Sequence, residues 1–127
     1  MKYFGTDGLR GRVDDLITED FVTRLAKAIA KFVDCGTVLI GRDTRPSGVW
    51  IEKIFINVLT SHGIKVHSLG VVPTTALSYI VAKTDANLGI VVTASHNPPE
   101  WNGIKLFDES GRKLKDEIIR KIEVALC

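Results

Sequence analysis

The stretch Thr93–Gly103, TASHNPPEWNG, concentrates the residues best suited to chemistry. Ser95 is followed by His96 and Asn97, and then by Pro98 and Pro99. The prolines fix backbone angles and remove donors, so this loop should be stiff. A serine hydroxyl is a weak nucleophile at neutral pH and needs a base, a cation or both to react. Once esterified with phosphate it carries close to two negative charges. Arg10, His96, Lys105 and backbone amides, with a divalent cation, could hold such a group. Asn102-Gly103 reads as a turn, and Lys105 would then look back across the loop from the strand that follows. The other candidates have simpler readings. His62 suits a helix end, His67 a solvated strand position and Ser47 a helix cap. Arg42 and Asp43 can be an ion pair, and Trp101 can pack on the loop. On the residues alone, the chemistry stops at a phosphate-ester site on an α/β domain.

Those loops need elements to position them. Seventeen Gly- and Asp-rich residues open the chain, with FGTDGLRGR their most distinctive part. Thr18 predicts a helix start, because Phe21, Val22, Leu25, Ile29, Phe32 and Val33 recur at helical spacing until Gly36. Val38–Ile40 reads as a buried strand. GRDTRPSG follows, then a second helix with the stripe Trp50, Ile51, Ile54, Phe55, Val58 and Leu59, stopped by Gly63. Ile64–Leu69 is an edge strand, and Pro73-Thr74 opens a third helix to about Lys83. Leu88–Val92 is apolar throughout, as a strand covered on both faces should be. Ile104–Phe107 is a fourth strand, and a helix over Asp116–Leu126 closes the order. Helices between the first three strands call for parallel pairing. The third-to-fourth link has about ten residues and no helical pattern, too short for a parallel crossover, so the last strand is antiparallel. Ligands in such sheets sit outside the carboxyl ends of strands where the order reverses. That puts the crevice between GRDTRPSG and TASHNPPEWNG.

Composition narrows the classes. The 127 residues are 45% hydrophobic and 25% charged, as in a globular protein with one ordinary domain over residues 1–127. A net charge of +2 with interleaved signs gives no support for a nucleic-acid or membrane surface. The chain lacks eighteen consecutive apolar residues and a signal-peptide core at its start. Cys35 and Cys127 form no disulfide or metal framework, which fits the cytoplasm. The closing KIEVALC ends without a Gly or Pro stop, which hints at a piece of something longer.

FGTDGLRG at Phe4–Gly11, GRDTRPSG at Gly41–Gly48 and TASHNPPEWNGIK at Thr93–Lys105 occur in that order, with the Gly111 region trailing. Together they closely resemble the first domain of the α-D-phosphohexomutases, over essentially the whole chain. The family includes phosphoglucomutase, phosphomannomutase and phosphoglucosamine mutase. The resemblance implies a three-layer α/β/α fold with a four-stranded mixed sheet of order 2-1-3-4, the last strand antiparallel. It implies that Ser95 is phosphorylated, ligates Mg²⁺ and donates its phosphate to a hexose or hexosamine phosphate. A bisphosphorylated sugar then reorients and returns its other phosphate, moving phosphate between C1 and C6. Arg10, Asn97 and Lys105 fall at phosphate-binding positions. Lys105 and His96 are the acid/base candidates, and a hexose 1,6-bisphosphate is the activator. The FGTDGLRG opening leans slightly toward the phosphoglucosamine branch, although Thr93 fits the others as well.

Family members have four domains, whereas this chain holds one. No DxDxDR-like metal loop occurs, and one serine oxygen is a poor Mg²⁺ site. The chain alone should therefore turn over hexose phosphates poorly and need the remaining mutase domains as partners. An excised domain could also form non-native oligomers. A stand-alone, non-catalytic binding or regulatory module with a phosphorylatable serine is the alternative. A longer parent reading frame favours the enzyme, and a stop after Cys127 favours the module.

Overall fold

A computed structural model describes residues 2–126; Cys127, expected to be a plain terminal residue, lies outside them. The strands are β1 (Phe4–Gly5), β2 (Gly8–Arg12), β3 (Thr37–Arg42), β4 (Lys65–Val71), β5 (Leu88–Val92) and β6 (Trp101–Phe107). The helices are α1 (Glu19–Val33), α2 (Ser47–Ser61), α3 (Thr74–Ala82) and α4 (Asp116–Leu126). One sheet runs β1-β2-β6-β5-β3-β4. Strand β3 pairs in parallel with β4 and β5, and β6 is antiparallel to β5.

The run β4-β3-β5-β6, with β4 at the sheet edge, thus has the expected order and directions, but the sheet has six strands rather than four. The additional pair is the Gly-rich opening, where Phe4 pairs with Leu9 and Gly5 with Gly8 across the Thr6-Asp7 turn. Gly8 has φ 93°, a left-handed conformation that glycine adopts without strain. Strand β2 in turn pairs with β6, Leu9 opposite Ile104 and Arg12 opposite Trp101. That pairing corrects the expected Asn102-Gly103 turn. Both residues are inside β6, opposite Gly11 and Arg10, and β6 starts three residues earlier than its apolar run. The partner strand, which the local sequence does not show, supplies the hydrogen bonds that extend it.

Side-chain alternation then divides the core into two layers. Val38, Ile40, Ile90 and Ile104 face α1, α2 and α4, packing on Leu25, Ile29, Phe55 and Ile119. Leu39 and Val91 face the other way, against Leu77 and Val81 of α3. Gly89 allows that close approach, since a Cβ there would lie 2.7 Å from Val81 Cγ2. Strand β5 is buried throughout, as its apolar run requires.

The helix signals are only partly as expected. Thr18 does cap α1, its Oγ1 accepting from the Phe21 amide at 3.1 Å. Ser47 does not cap α2. It is the first helical residue, buried, and its Oγ accepts from Asn102 Nδ2 at 2.7 Å. His62 lies at the α2 C-terminus, and Gly63 follows with φ 81°. His67 and Cys35 are exposed. Among the described residues, no helix is long and apolar enough to cross a membrane.

One buried carboxylate fastens the two ends of the chain. Glu123 of α4 accepts from the backbone amides of Lys2, Tyr3 and Phe4 at 2.9, 2.6 and 2.9 Å. Burial works to raise its pKa, but these three donors outweigh burial and hold it below the ordinary carboxylate value. A depressed folded pKa stabilises above the unfolded pKa, and that stability is lost as pH falls through the folded one. Glu123→Gln should therefore cost about 2 kcal/mol at neutral pH, the scale of hydrogen bonds to a charged group. Urea titrations should show the wild-type advantage shrinking below the ordinary carboxylate range. An advantage that grows on acidification would contradict this role.

Candidate functional site

The loops after β3 and β5 meet at the carboxyl ends of their strands, where the order reverses between β3 and β5. Asp43 follows β3 directly, and its Oδ2 accepts from Thr93 Oγ1 at 2.6 Å. Thr93 Oγ1 in turn accepts from the Ser95 amide at 3.0 Å. Arg45 pairs with Asp43 through Nε at 2.9 Å. Its Nη2 donates to the Ser95 carbonyl at 3.1 Å. Its Nη1 reaches the carbonyls of Asn97, Pro98 and Trp101 at 3.3, 3.1 and 2.9 Å. Ser95 itself has φ 54°, a strained region for a non-glycine residue. It is half-buried and lines an open cleft of about 420 Å³ with Asp43, Thr44, Arg45, Asn97 and Pro99.

Arg10 joins this group from the N-terminal hairpin. It stands opposite Gly103 in the β2–β6 ladder, and its Nη1 donates to Asn97 Oδ1 at 3.2 Å. Its other contact is a loose, solvent-exposed pair with Asp7 at 3.6 Å. Lys105 lies two residues beyond Gly103 and so shares Arg10's face of the sheet. Instead of entering the Ser95 cleft, it lines a neighbouring cavity of about 280 Å³ with Thr6, Asp7, Thr74 and Phe107. His96 is exposed and makes none of the side-chain bonds that hold the loop. The structure therefore joins Ser95, Asn97 and Arg10 in one bonded neighbourhood and leaves Lys105 and His96 at its margins.

The suggested Arg42–Asp43 pair is replaced by two separate ones. Asp43 pairs with Arg45, whereas Arg42 lies 3.4 Å from the buried Glu52, which accepts from Ser68 Oγ. Arg42 points along the α2 side, where its Cδ would meet a Cβ on Gly48 at 3.2 Å. Arg45 and Asp43 are the residues that sequence reasoning missed. Their signal was only the unusual polarity of GRDTRPSG, because four of the groups that Arg45 binds are backbone carbonyls, which no residue type announces.

A metal does not fit what this chain supplies. Among the described residues no group of three His, Cys, Asp or Glu could hold one. The Asp43 carboxylate is already occupied by Arg45 and Thr93. Ser95 would be a lone ligand.

The family model for phosphoglucomutase/phosphomannomutase, alpha/beta/alpha domain I, matches residues 1–126. A phosphoglucosamine mutase of Finegoldia magna is 46% identical over 125 residues, which is 96% of this chain and 28% of that protein. Another, from Thermotoga neapolitana, is 43% identical, over 97% of this chain and 28% of its own length. A solved structure from Thermus thermophilus superposes with a TM-score of 0.91 at 34% identity, over 98% of this chain and 29% of that one. The chain thus spans under a third of the proteins it matches.

Proposed function

This chain belongs to the phosphoglucomutase/phosphomannomutase family as its α/β/α domain I, and from that premise we propose that it is the phosphoserine-bearing part of a phosphohexose mutase. The observation that carries the reading is Ser95, held in a left-handed conformation at the edge of an open cleft, with both its amide and its carbonyl tied down. A serine presented in that way has one group left to offer, its hydroxyl. In the proposed reaction a sugar hydroxyl attacks the phosphorus of phosphorylated Ser95. The new O–P bond forms as the Ser95 O–P bond breaks, and the hydroxyl proton passes to a base. The bisphosphorylated sugar reorients and returns its other phosphate to Ser95 by the reverse step.

Phosphoryl transfer depends mainly on alignment and on positive charge around the moving group. Arg10, anchored to the loop through Asn97, supplies such charge. Lys105 and His96 are the groups for the proton, and both need substrate or a neighbouring domain to bring them to the reacting oxygen. Mg²⁺ would neutralise phosphate charge when bound, with ligands beyond Ser95 that the described residues of this chain do not supply. The similarity to phosphoglucosamine mutases supports a hexosamine phosphate as substrate.

Replacing the matching segment of the Finegoldia magna enzyme by this chain tests the reading. The hybrid should interconvert the 1- and 6-phosphates of glucosamine, and the isolated chain should not. A folded hybrid without mutase activity contradicts the assignment, and full-enzyme rates from the chain alone contradict its dependence on other domains.

A further inference from the structure

We propose that Arg45 is the positioning residue that sets the conformation of the Ser95 loop, with Asp43 as its anchor and Thr93 as its relay. The functional consequence rests on the phosphoserine reading above. The geometric claim does not.

Four carbonyl oxygens, from Ser95, Asn97, Pro98 and Trp101, converge on one guanidinium. Without a cation between them, four converging dipole ends would repel, so this loop shape is conditional on Arg45. The guanidinium side chain is only 9% exposed, so its bonds are shielded from competing water. Asp43 fixes its direction by accepting from Nε with both carboxylate oxygens, at 3.1 and 2.9 Å. It also accepts from Arg45's own amide at 3.2 Å. The same carboxylate reaches Ser95 from the other side, since Thr93 Oγ1 donates to it and accepts from the Ser95 amide. Ser95 is thus gripped at its carbonyl by Arg45 and at its amide by a chain that ends on Arg45's own partner. Two such bonds, together, offset the strain of a left-handed serine.

Arg45 differs in kind from Arg10. Its Nε is committed to Asp43, its Nη1 to three carbonyls and its Nη2 to a fourth. It therefore holds the loop rather than the transferring group. By drawing those carbonyl ends onto a cation and neutralising Asp43, it also lowers the negative field that a doubly charged ester on Ser95 would meet. Lysine cannot replace it, because one ammonium has neither the reach nor the fork to meet Asp43 and four separate carbonyls.

The test uses the whole chain, isotope-labelled, as wild type, Arg45→Met, Arg45→Lys and Thr93→Val. Amide exchange at Ser95 should accelerate at least about tenfold in all three variants, the effect of losing roughly one net hydrogen bond, while β5 amides stay protected. The φ-sensitive amide–Hα coupling of Ser95 should leave the left-handed value in the Arg45 variants, lysine included. Rates indistinguishable from wild type in a folded Arg45→Met, or rescue by lysine, would overturn the proposal. Should Arg45→Met fail to fold, Thr93→Val decides alone: an unchanged Ser95 amide refutes the relay. A parallel arm follows phosphate capture from a hexose 1,6-bisphosphate. Capture at equal speed by wild type and folded Arg45→Met counts against positioning. No capture by wild type counts against the phosphoserine reading and leaves the exchange comparison standing.

Discussion

Gly103→Ala should lower the melting temperature by about 10 °C or more, because the position has no room for a Cβ. A methyl group there would overlap the Leu9 carbonyl oxygen and lie 2.9 Å from that of Thr93. Both obstacles are backbone, so no rotamer change relieves them. Overpacking that displaces backbone costs about 3 kcal/mol or more, and each kcal/mol shifts melting by several degrees in a chain of this size. The damage is not confined to stability. Gly103 stands opposite Arg10 in the ladder, and its carbonyl accepts from the Thr93 amide at 3.0 Å. The substitution pushes apart the strand that carries Arg10 and the loop that carries Ser95. Circular dichroism melts measure the effect, and a shift under about 2 °C would mean that β2 and β6 are not in this register.

The other large effect concerns chemistry alone. Ser95→Ala in the mutase hybrid should lower turnover at least about 10⁴-fold, the scale on which a lost nucleophile is felt. The hydroxyl makes none of the bonds that shape the loop; the Ser95 amide and carbonyl make them. The melting temperature should therefore hardly move. Hybrid turnover that survives the substitution would place the phosphate on another residue.

These two positions also show what the amino-acid sequence reveals and what it hides. The place of the Ser95 loop at the cleft was legible because its residues, two prolines and a run of polar residues after an unbroken apolar strand, are unusual in their own right. The crevice was legible because strand order follows from which segments are joined by helices. Gly103 was misread, since Asn-Gly looks like a turn until another strand requires a bare backbone there. The β1–β2 hairpin was hidden for a related reason. Gly8, Arg10, Gly11 and Arg12 give β2 almost no apolar alternation, so its strand character comes from pairing with β6. Ser47 was assigned the cap its type suggests, but Asn102, 55 residues away, uses its oxygen. Lys105 was placed on the correct strand, yet it lines a separate cavity beside the hairpin. Each miss involves a partner distant in sequence, whose presence local periodicity does not report.

The proposed function depends on whether Ser95 takes a phosphate. Intact-mass spectrometry of the chain, before and after incubation with a hexose 1,6-bisphosphate, followed by peptide mapping, asks that directly. A gain of one phosphate on the peptide that holds Ser95, absent from Ser95→Ala, is the expected result. Phosphate recovered on a different residue, or retained in full by Ser95→Ala, would contradict it.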